Sequence, residues 1–372
     1  MTMLASKLGI RLILLLGQNA PKLASAEVMS ALQKVEVTND MDAEDGFRLV
    51  FALCKDKRGE FSLVRSGVVD PDIRVVIGVL IGATLHPLVD GVIYHQQLAP
   101  AQAPGTCTLT AMGRGIQVML DLKKKTPPPH ANLATSDIVK NILSNYQTLG
   151  IADLSGITPT SDAHSDKELV RNQQVSDLGY IRELAEQKGF IFYLEPKTLG
   201  TTAAYWGPAS GSTAAKPSAL CVNLGPATNV TDLHFSQDAL APINVTGTTI
   251  DPNTKTSKTI PAPLQSPGDP RTQPISARRT ELLRTAARLG LADAQDAAAA
   301  LMANAPDPLK TTGTLDTVIY GDVLRARRMV TVRGAGCRYD GDYLIRQVTH
   351  EIEVGKYTQQ FTLSRKGLQV SH

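Results

Sequence analysis

Two short polar stretches contain residue types that could bind a metal ion or a phosphate group. The first is DAHSDKE, which contains Asp162, His164, Asp166 and Glu168. Imidazole and carboxylate groups are common metal ligands, but acids around a single histidine in a polar loop are more often solvated. The second, GPASGST (207–213), resembles a phosphate-binding loop but lacks the lysine and the spacing of that motif. We therefore predict that neither stretch is a binding site.

No pattern typical of a catalytic centre is present. The motifs GxSxG, HExxH and GxGxxG do not occur where a strand, a turn and a helix would support them. Glu183 and Glu186 lie near Arg182 and Lys188, a spacing that favours surface ion pairs over acid–base catalysis. His350 stands in an alternating strand pattern and is predicted to be packed or hydrogen-bonded. We predict no catalytic, cofactor-binding or metal-binding residues, and therefore a protein that is not an enzyme.

Size and composition indicate a soluble globular protein. The chain has 372 residues, enough for two or three domains, of which 42% are hydrophobic and 20% charged. A net charge of +3 is too small to indicate a nucleic-acid partner. The cysteines are Cys54, Cys107, Cys221 and Cys337. Because they are far apart in sequence, they argue against a zinc site or a disulfide framework and suit a reducing compartment.

Arginines form two clusters without the interleaved aromatic residues that stack on nucleic-acid bases. The first cluster contains Arg278, Arg279, Arg284 and Arg288, and the second contains Arg325, Arg327, Arg328 and Arg333. We interpret them as solvated faces or as salt bridges at a subunit interface, because the guanidinium fork pairs well with carboxylates.

The N-terminal segment KLGIRLILLLGQNAPKLASA has two interpretations. Its basic start, short apolar run and Ala-Ser-Ala ending imitate a signal peptide. The apolar run at 12–16 is short for that purpose, so we favour a buried first strand followed by a turn at 17–21. Asn229 and Asn244 stand in Asn-Val-Thr triplets, which matter only in a glycosylating secretory pathway. No segment approaches the length of a membrane-spanning helix, so we predict no stable membrane anchor.

The first 120 residues or so are predicted to be β-structure. Residues 47–54 alternate with a period of two, residues 75–81 form a β-branched run, and 105–111 alternate again. Val89-Asp90-Gly91 is predicted to be a turn that precedes another strand. The segment KKKTPPPH (123–130) then ends this block as a stiff linker, since its prolines cannot donate backbone hydrogen bonds.

Helices and strands are mixed in the middle of the chain. Apolar residues from Ile138 to Leu149 recur at helical spacing, with Thr135 or Ser136 as the N-cap and Gly150 as the stop. A second helix is predicted from Ser176 or Asp177 to Gly189, followed at once by a strand at 190–194.

The remaining segments are predicted from composition and period. Residues 200–220 are turn-rich and are predicted to be a loop, and 251–275 are predicted to be extended. Helices are predicted at 276–289 and 293–303, and the chain is predicted to end in strands.

A weak internal repeat relates the two β blocks. The segment from Arg74, with RVVIGVLIG, LVDGVIYHQ and GTCTLTAMGRG, can be aligned with the segment from Arg328, with RMVTVRGAG, YDGDYLIRQ and YTQQFTLSRKG. The alignment pairs Asp90-Gly91 with Asp340-Gly341. Asp-Gly pairs are common in all-β sequences, so either a true duplication or chance similarity accounts for it.

Two stretches resemble the phage late control protein D family, which includes baseplate hub proteins of contractile tails and the hub part of the type VI spike protein VgrG. In QVSDLGYIRELAEQKGFIFYLE and the residue before it, the matching positions are Gln173, Ser176, Asp177, Tyr180, Ile181, Arg182, Leu184, Ala185, Glu186, Gly189, Phe190 and Tyr193. The closing hairpin is similar through Gly341, Tyr343, Val348, His350, Tyr357, Phe361 and Arg365. The order of the segments also agrees.

The resemblance implies a mainly β fold with an α/β insert: two tube-like β-barrel domains, a small α/β domain and a helical segment. We expect the first barrel at 1–125, the insert at 126–200, a strand and extended linker region at 201–275, and the helical segment with the second barrel at 276–372. It also implies a homotrimer that adapts a hexameric tail tube to a trimeric spike, with DNA or cargo passing through the lumen. Because VgrG continues into a spike and this sequence ends at His372, the spike is expected to be a separate protein.

The expected partners are therefore the tube protein, the spike protein and other baseplate proteins. The expected location is the baseplate of a virion tail or injection particle, assembled in the bacterial cytoplasm, with no cofactor. Two other functions stay open on the sequence: a tail-associated cell-wall hydrolase and a secreted surface adhesin.

Overall fold

Strands dominate the computed structural model, which describes residues 9–369 except 19, 101–106, 128–132, 162–172, 209–214, 251–255, 261–271 and 284–290. The strands are β1 (Ile10–Gly17), β2 (Lys22–Leu23), β3 (Leu32–Asp40), β4 (Gly46–Leu53), β5 (Arg74–Ile81), β6 (Thr84–Ala99), β7 (Cys107–Gly115), β8 (Ile151–Ile157), β9 (Phe190–Thr198), β10 (Thr201–Pro208), β11 (Leu220–Cys221), β12 (Asp232–Gln237), β13 (Ile243–Thr246), β14 (Thr248–Ile250), β15 (Ser257–Thr259), β16 (Thr272–Pro274), β17 (Arg279–Leu282), β18 (Leu309–Asp316), β19 (Met329–Arg333), β20 (Gly341–Glu353), β21 (Lys356–Arg365) and β22 (Gly367–Gln369). The helices are α1 (Ala26–Ala31), α2 (Ser62–Arg65), α3 (Thr135–Ser144), α4 (Asp177–Lys188), α5 (Leu291–Ala303) and α6 (Thr317–Tyr320). The predicted fold class, mainly β with an α/β insert, is confirmed.

Thirteen strands form one sheet in the order β12-β18-β21-β20-β3-β4-β7-β6-β5-β1-β2, with β19 beside the first part of β20 and β11 beside β19. We call β1 and β3–β7 the first strand set, and β11, β12 and β18–β21 the second strand set. A separate sheet, β8-β10-β9, belongs to the insert.

The core of the first strand set is formed by apolar side chains at alternate positions of its strands. Phe47, Leu49, Phe51 and Leu53 of β4 are buried and alternate with more exposed residues, as the period of two predicts. The apolar run at 12–16 lies in β1, which pairs antiparallel with β5 and buries every second side chain. The predicted first strand is therefore present.

The second strand set repeats the order of the first. In the first set the antiparallel pairs are β3–β4, β4–β7, β7–β6 and β6–β5. In the second they are β12–β18, β18–β21, β21–β20 and β20–β19. The outermost strands differ, because β1 runs antiparallel to β5 whereas β11 runs parallel to β19.

Backbone irregularities recur at matching positions of the two sets. Asp72 precedes β5 and Arg327 precedes β19, and both have a φ of 69°. The Asp72 N–H donates to the Ile93 carbonyl at 2.8 Å, and the Arg327 N–H donates to the Ile345 carbonyl at 2.7 Å. A single-residue bulge follows both Ile93 and Ile345. Left-handed backbone is uncommon for residues other than glycine, so its recurrence indicates a duplicated unit rather than chance similarity.

The insert packs α3 and α4 against β8, β9 and β10. Ser176 is the N-cap of α4, and its Oγ accepts a hydrogen bond from the Gly179 N–H at 3.2 Å. Gly189 ends the helix with a φ of 66°, and β9 begins at the next residue. The predicted helix, its cap, its glycine stop and the following strand are all present.

The predicted loop at 200–220 is wrong where it covers Thr201–Pro208, which forms β10. This strand lies between β8 and β9, and Thr202, Ala204 and Trp206 face the core of the insert.

The predicted helix at 276–289 is wrong over its described part, because Arg279–Leu282 is the strand β17, parallel to β13. Pairing with β13 satisfies its backbone and overrides helix propensity. The later helix is confirmed as α5. The predicted N-cap of α3 is also wrong: Ala134 stands there, and the Thr160 hydroxyl accepts from the Ser136 N–H in the first turn.

The predicted turn at Val89-Asp90-Gly91 is wrong, because these residues lie inside β6. Asp90 is buried and accepts two hydrogen bonds from Arg74, at 2.6 and 2.8 Å, which satisfies a charge that a turn would have exposed. The strand ladders therefore match Asp90 with Asp342, not with Asp340 as the sequence alignment does.

Candidate assembly interface

The two strand sets meet at one joint, where β20 pairs with β3. The first part of β20 pairs with β19, and its second part, from Gln347 to Glu353, pairs antiparallel with β3. The bulge at Arg346 separates the two parts. Because both partners lie on the same side of β20, the strand belongs to the second set and also binds the first. We call the β20–β3 pairing the internal joint.

Polar side chains cross the internal joint along its partly exposed face. The contacts are Thr38 Oγ1 with Thr349 Oγ1 at 3.2 Å, Gln347 Nε2 with Asp40 Oδ2 at 2.6 Å, Arg346 Nη2 with Asp42 Oδ1 at 2.8 Å, and Lys34 Nζ with Glu351 at 3.5 Å and Glu353 at 3.6 Å. Hydrogen bonds and opposite charges between facing strands fix the register of the pairing.

A buried ion pair reinforces the internal joint. The Arg327 guanidinium donates to both carboxylate oxygens of Asp45, at 2.9 and 3.1 Å, and also to the Asp40 carbonyl. Both charged side chains are almost fully buried. Burial alone would lower the pKa of Arg327, but the Asp45 carboxylate holds it above its usual value. Since Asp45 precedes β4 and Arg327 precedes β19, the pair connects the two strand sets directly.

The insert is fastened to the same place. The Glu195 carboxylate in β9 accepts from Arg325 at 3.2 Å and from Arg328 at 2.5 Å. The Tyr193 ring lies 4.6 Å from the Arg327 guanidinium, close enough for a cation–π contact. The second arginine cluster therefore serves contacts within the chain, except Arg333, which is exposed.

His350 is buried at the internal joint, as predicted. Its Nδ1 lies 3.0 Å from the Tyr357 hydroxyl, and both side chains are fully buried. Burial, with a smaller effect of the nearby Arg325 charge, lowers the pKa of His350 from 6.5 to about 3. The imidazole is therefore neutral in the folded protein at neutral pH.

This burial gives an expected pH dependence. Below pH 6.5 the unfolded chain binds a proton at His350 that the folded chain does not, so stability falls as the pH falls toward 3. We expect the free energy of unfolding to decrease by up to about 1.4 kcal/mol per pH unit from this residue. Urea titrations between pH 7 and about 5, before most carboxylates titrate, measure the slope. His350→Gln should reduce this slope. A smaller pH dependence should remain from His86, because burial also lowers the pKa of that residue. Equal slopes for the variant and the unchanged protein would contradict this account.

The sequence candidates for chemistry lie partly outside the described residues, and those that are described do not cluster. DAHSDKE lies outside the described residues, and so does GPASGST beyond Pro208. Glu183 and Glu186 are exposed on α4, where Arg182 instead pairs with Glu44 at 3.3 Å. In the described part of the chain, no three metal-ligating side chains cluster, and no helix has the length and apolarity to span a membrane.

Several other expectations meet the structure directly. Among the first arginine cluster, Arg278 and Arg279 are exposed, while Arg284 and Arg288 lie outside the described residues. Cys54, Cys107, Cys221 and Cys337 are all free thiols. Asn229 uses its side chain structurally, accepting from the Cys221 N–H at 2.8 Å and donating to the Ala219 carbonyl at 2.9 Å.

Comparisons with known proteins find similarity in structure alone. No protein-family model and no curated protein sequence matches the chain. The tail protein from Neisseria meningitidis MC58 aligns with 96% of this chain and 98% of its own, with a TM-score of 0.63 and 13% identity. The 43 kDa tail protein of prophage MuSo2 from Shewanella oneidensis aligns with 95% of this chain and 98% of its own, with a TM-score of 0.61 and 13% identity.

A Francisella PdpA–VgrG complex aligns with 98% of this chain and 53% of the matched chain, with a TM-score of 0.58 and 10% identity. The alignments cover nearly all of this chain in each case, so they include both strand sets and the insert. The chain therefore has the fold that phage tail proteins share with a VgrG complex, as the resemblance in its sequence predicts.

Proposed function

We propose that this protein is the baseplate hub of a contractile tail or of a phage-like contractile injection system. Three copies would form a ring that binds the hexameric tail tube on one side and a trimeric spike on the other. The role is mechanical and involves no catalysis, and the lumen of the ring would pass DNA or cargo.

One observation carries this proposal: a single chain contains two strand sets of the same order, joined edge to edge. A trimer of such chains presents six similar units around its axis while its other parts keep threefold symmetry. Closed cyclic assemblies need matching interfaces, and an internal duplication supplies them without six separate chains. The fold shared with phage tail proteins supports the same assignment.

The proposal assigns each strand set to one tube-like barrel domain and the insert to the flank between them. The sequence predicts domains at 1–125, 126–200, 201–275 and 276–372, and we propose two changes to these boundaries. The insert extends to Pro208, because β10 lies in its sheet, and the second barrel domain also includes β11 and β12. The partners are the tube protein, the spike protein and other baseplate proteins, in a particle assembled in the bacterial cytoplasm.

Light scattering on the purified chain tests the proposal. We expect a mass of three times 39.8 kDa at micromolar concentration, and electron micrographs of threefold particles with an axial hole. Strand edges left unpaired in the monomer favour association, so the trimer should persist on dilution. A stable monomer, or an assembly without a threefold axis, would refute the hub.

A further inference from the structure

One half of β6 has a free edge where β20 has a partner. The two strands occupy matching positions, since Ile93 and Ile345 precede the same bulge. β5 pairs with β6 only as far as Val92. Within the described residues, no strand lies on that side of the second half of β6, whereas the second half of β20 binds β3 there.

β12 has the complementary free edge. It matches β3 in the ladders, because β3 pairs with β4 as β12 pairs with β18. Even the ends of these strands agree: Asp40 Oδ1 accepts from the Asp42 N–H at 2.8 Å, and Asp238 Oδ1 accepts from the Leu240 N–H at 2.8 Å. β3 binds strands on both sides, but β12 pairs only with β18 among the described strands. Among the described strands, each half of the internal joint thus has one further copy that pairs with nothing on that side.

We propose that the second half of β6 in one copy pairs antiparallel with β12 of a second copy, in the register of the internal joint. Transferring that register places Leu98 opposite Phe235 and Gln97 opposite Ser236. The inference rests on the proposed function for the number of copies, and adds the edges and register by which they join. The contact is head-to-tail, and three such contacts related by the threefold axis of the proposed hub close into a ring.

Exposed apolar side chains favour a second copy of the chain as the partner of these edges. Tyr94 is 51% exposed, Leu98 is 42% exposed and Leu240 is 54% exposed. Tyr94 and Leu98 lie in the second half of β6, and Leu240 lies in the turn that follows β12. Burying them against a second copy removes apolar surface from water and pairs the open backbone groups of both strands.

The internal joint and the proposed β6–β12 contact between copies differ in chemistry at matching positions. Tyr94 matches Arg346 and Leu240 matches Asp42, so the ion pair of the internal joint becomes an apolar contact between copies. This difference disfavours the wrong pairings, β6 with β3 and β20 with β12. The first would place Tyr94 against Asp42, and the second would place Arg346 against Leu240.

Polar contacts of the internal joint have counterparts as well. The Thr38–Thr349 hydroxyl contact corresponds to Ser236 and Gln97, which are both exposed and polar. Gln347 binds Asp40, and the corresponding residues are His95 and Asp238, which can form a charge-assisted hydrogen bond. The register is therefore satisfied by polar as well as apolar neighbours.

Disulfide cross-linking tests the register. In a background with the exposed cysteines replaced, Cys54→Ser and Cys337→Ser, the double variant Gln97→Cys/Ser236→Cys should cross-link chains upon oxidation. A mixture of the two single variants, exchanged and reassembled, should give covalent dimers only, because each chain then has one engineered thiol. Gln97→Cys/Asp232→Cys is the out-of-register control, with its thiols about 13 Å apart by the rise of a strand.

Thr38→Cys/Thr349→Cys is the matched positive control, since these positions face each other within one chain. If this pair oxidises and light scattering shows trimers, failure of the Gln97/Ser236 pair overturns the proposed edge but leaves the hub intact. A monomeric chain overturns both. Cross-linking of the out-of-register pair at an equal rate would overturn the register.

A second measurement does not depend on thiols. Leu98→Asp places a charge opposite Phe235 and should raise the concentration at which the trimer dissociates at least tenfold. Leu85→Asp is the control, because Leu85 is an exposed leucine of β6 in the half that β5 already pairs. Equal dissociation of the two variants would contradict the proposed interface.

Discussion

Asp45→Ala is expected to lower the free energy of unfolding by about 3–5 kcal/mol, because it leaves the Arg327 guanidinium buried without its counter-ion. The two side chains are 93% or more removed from solvent, so water cannot replace the lost carboxylate. Chemical denaturation followed by far-UV circular dichroism measures the loss. The effect should be this large because the pair is buried and connects the two strand sets.

A double-mutant cycle separates the ion pair from the packing around it. Arg327→Met keeps much of the aliphatic stem, and Asp45→Ala/Arg327→Met removes both charges, so the double variant should be more stable than Asp45→Ala alone. Asp42→Ala is the matched control at the same joint. Its partner Arg346 is more exposed, so that loss should stay below about 1 kcal/mol. Similar losses from Asp42→Ala and Asp45→Ala would contradict the assigned role of the buried pair.

The sequence predicts the elements whose stability is local. β4 alternates strictly, and α4 has a serine cap at one end and a glycine stop at the other, so neighbouring residues alone specify them. The resemblance adds what periodicity does not: the order of a β block, an insert and a second β block. The individual elements depend on local signals, whereas the order of the blocks depends on two stretches that lie far apart in the sequence.

The joint could not be predicted in this way. Asp45 and Arg327 are separated by 282 residues, and neither stands in a motif that identifies its partner. The sequence also does not predict the partners of Glu195, since a single glutamate after an apolar strand is ordinarily a surface residue. Burial of such charges follows from how the strand sets and the insert meet, which no local pattern describes.

The errors have the same origin. The small residues of β10 are typical of a turn, although Thr202, Ala204 and Trp206 alternate as a strand does. Asp90 has the residue type of a turn, but its pairing with Arg74 on β5 explains why it lies buried in a strand. In both cases a partner distant in sequence decides the conformation, and local propensity is overridden.

Trp206→Ala is expected to cost about 3–5 kcal/mol, because it empties the centre of the insert. The ring is fully buried, lies 4.8 Å from the Phe190 ring in an edge-to-face arrangement, and donates from Nε1 to the Ile181 carbonyl at 3.4 Å. Trp206→Phe keeps an aromatic ring there and should recover much of the loss. Far-UV circular dichroism is the suitable probe, since Trp206 is the single tryptophan of the chain and its replacement removes the fluorescence signal.

Hydrogen exchange then shows how far the damage extends. The insert has its own sheet and core, and it meets the internal joint through Glu195 and Tyr193. We therefore expect Trp206→Ala to reduce protection in α4 and β8–β10 while β3 and β20 keep theirs. Uniform loss of protection would mean that the insert and the strand sets unfold as one unit, and that the insert is a structural requirement of the joint. Confined loss would mean that the joint, which the proposed ring needs, is stabilised by its own contacts, with the insert fastened beside it.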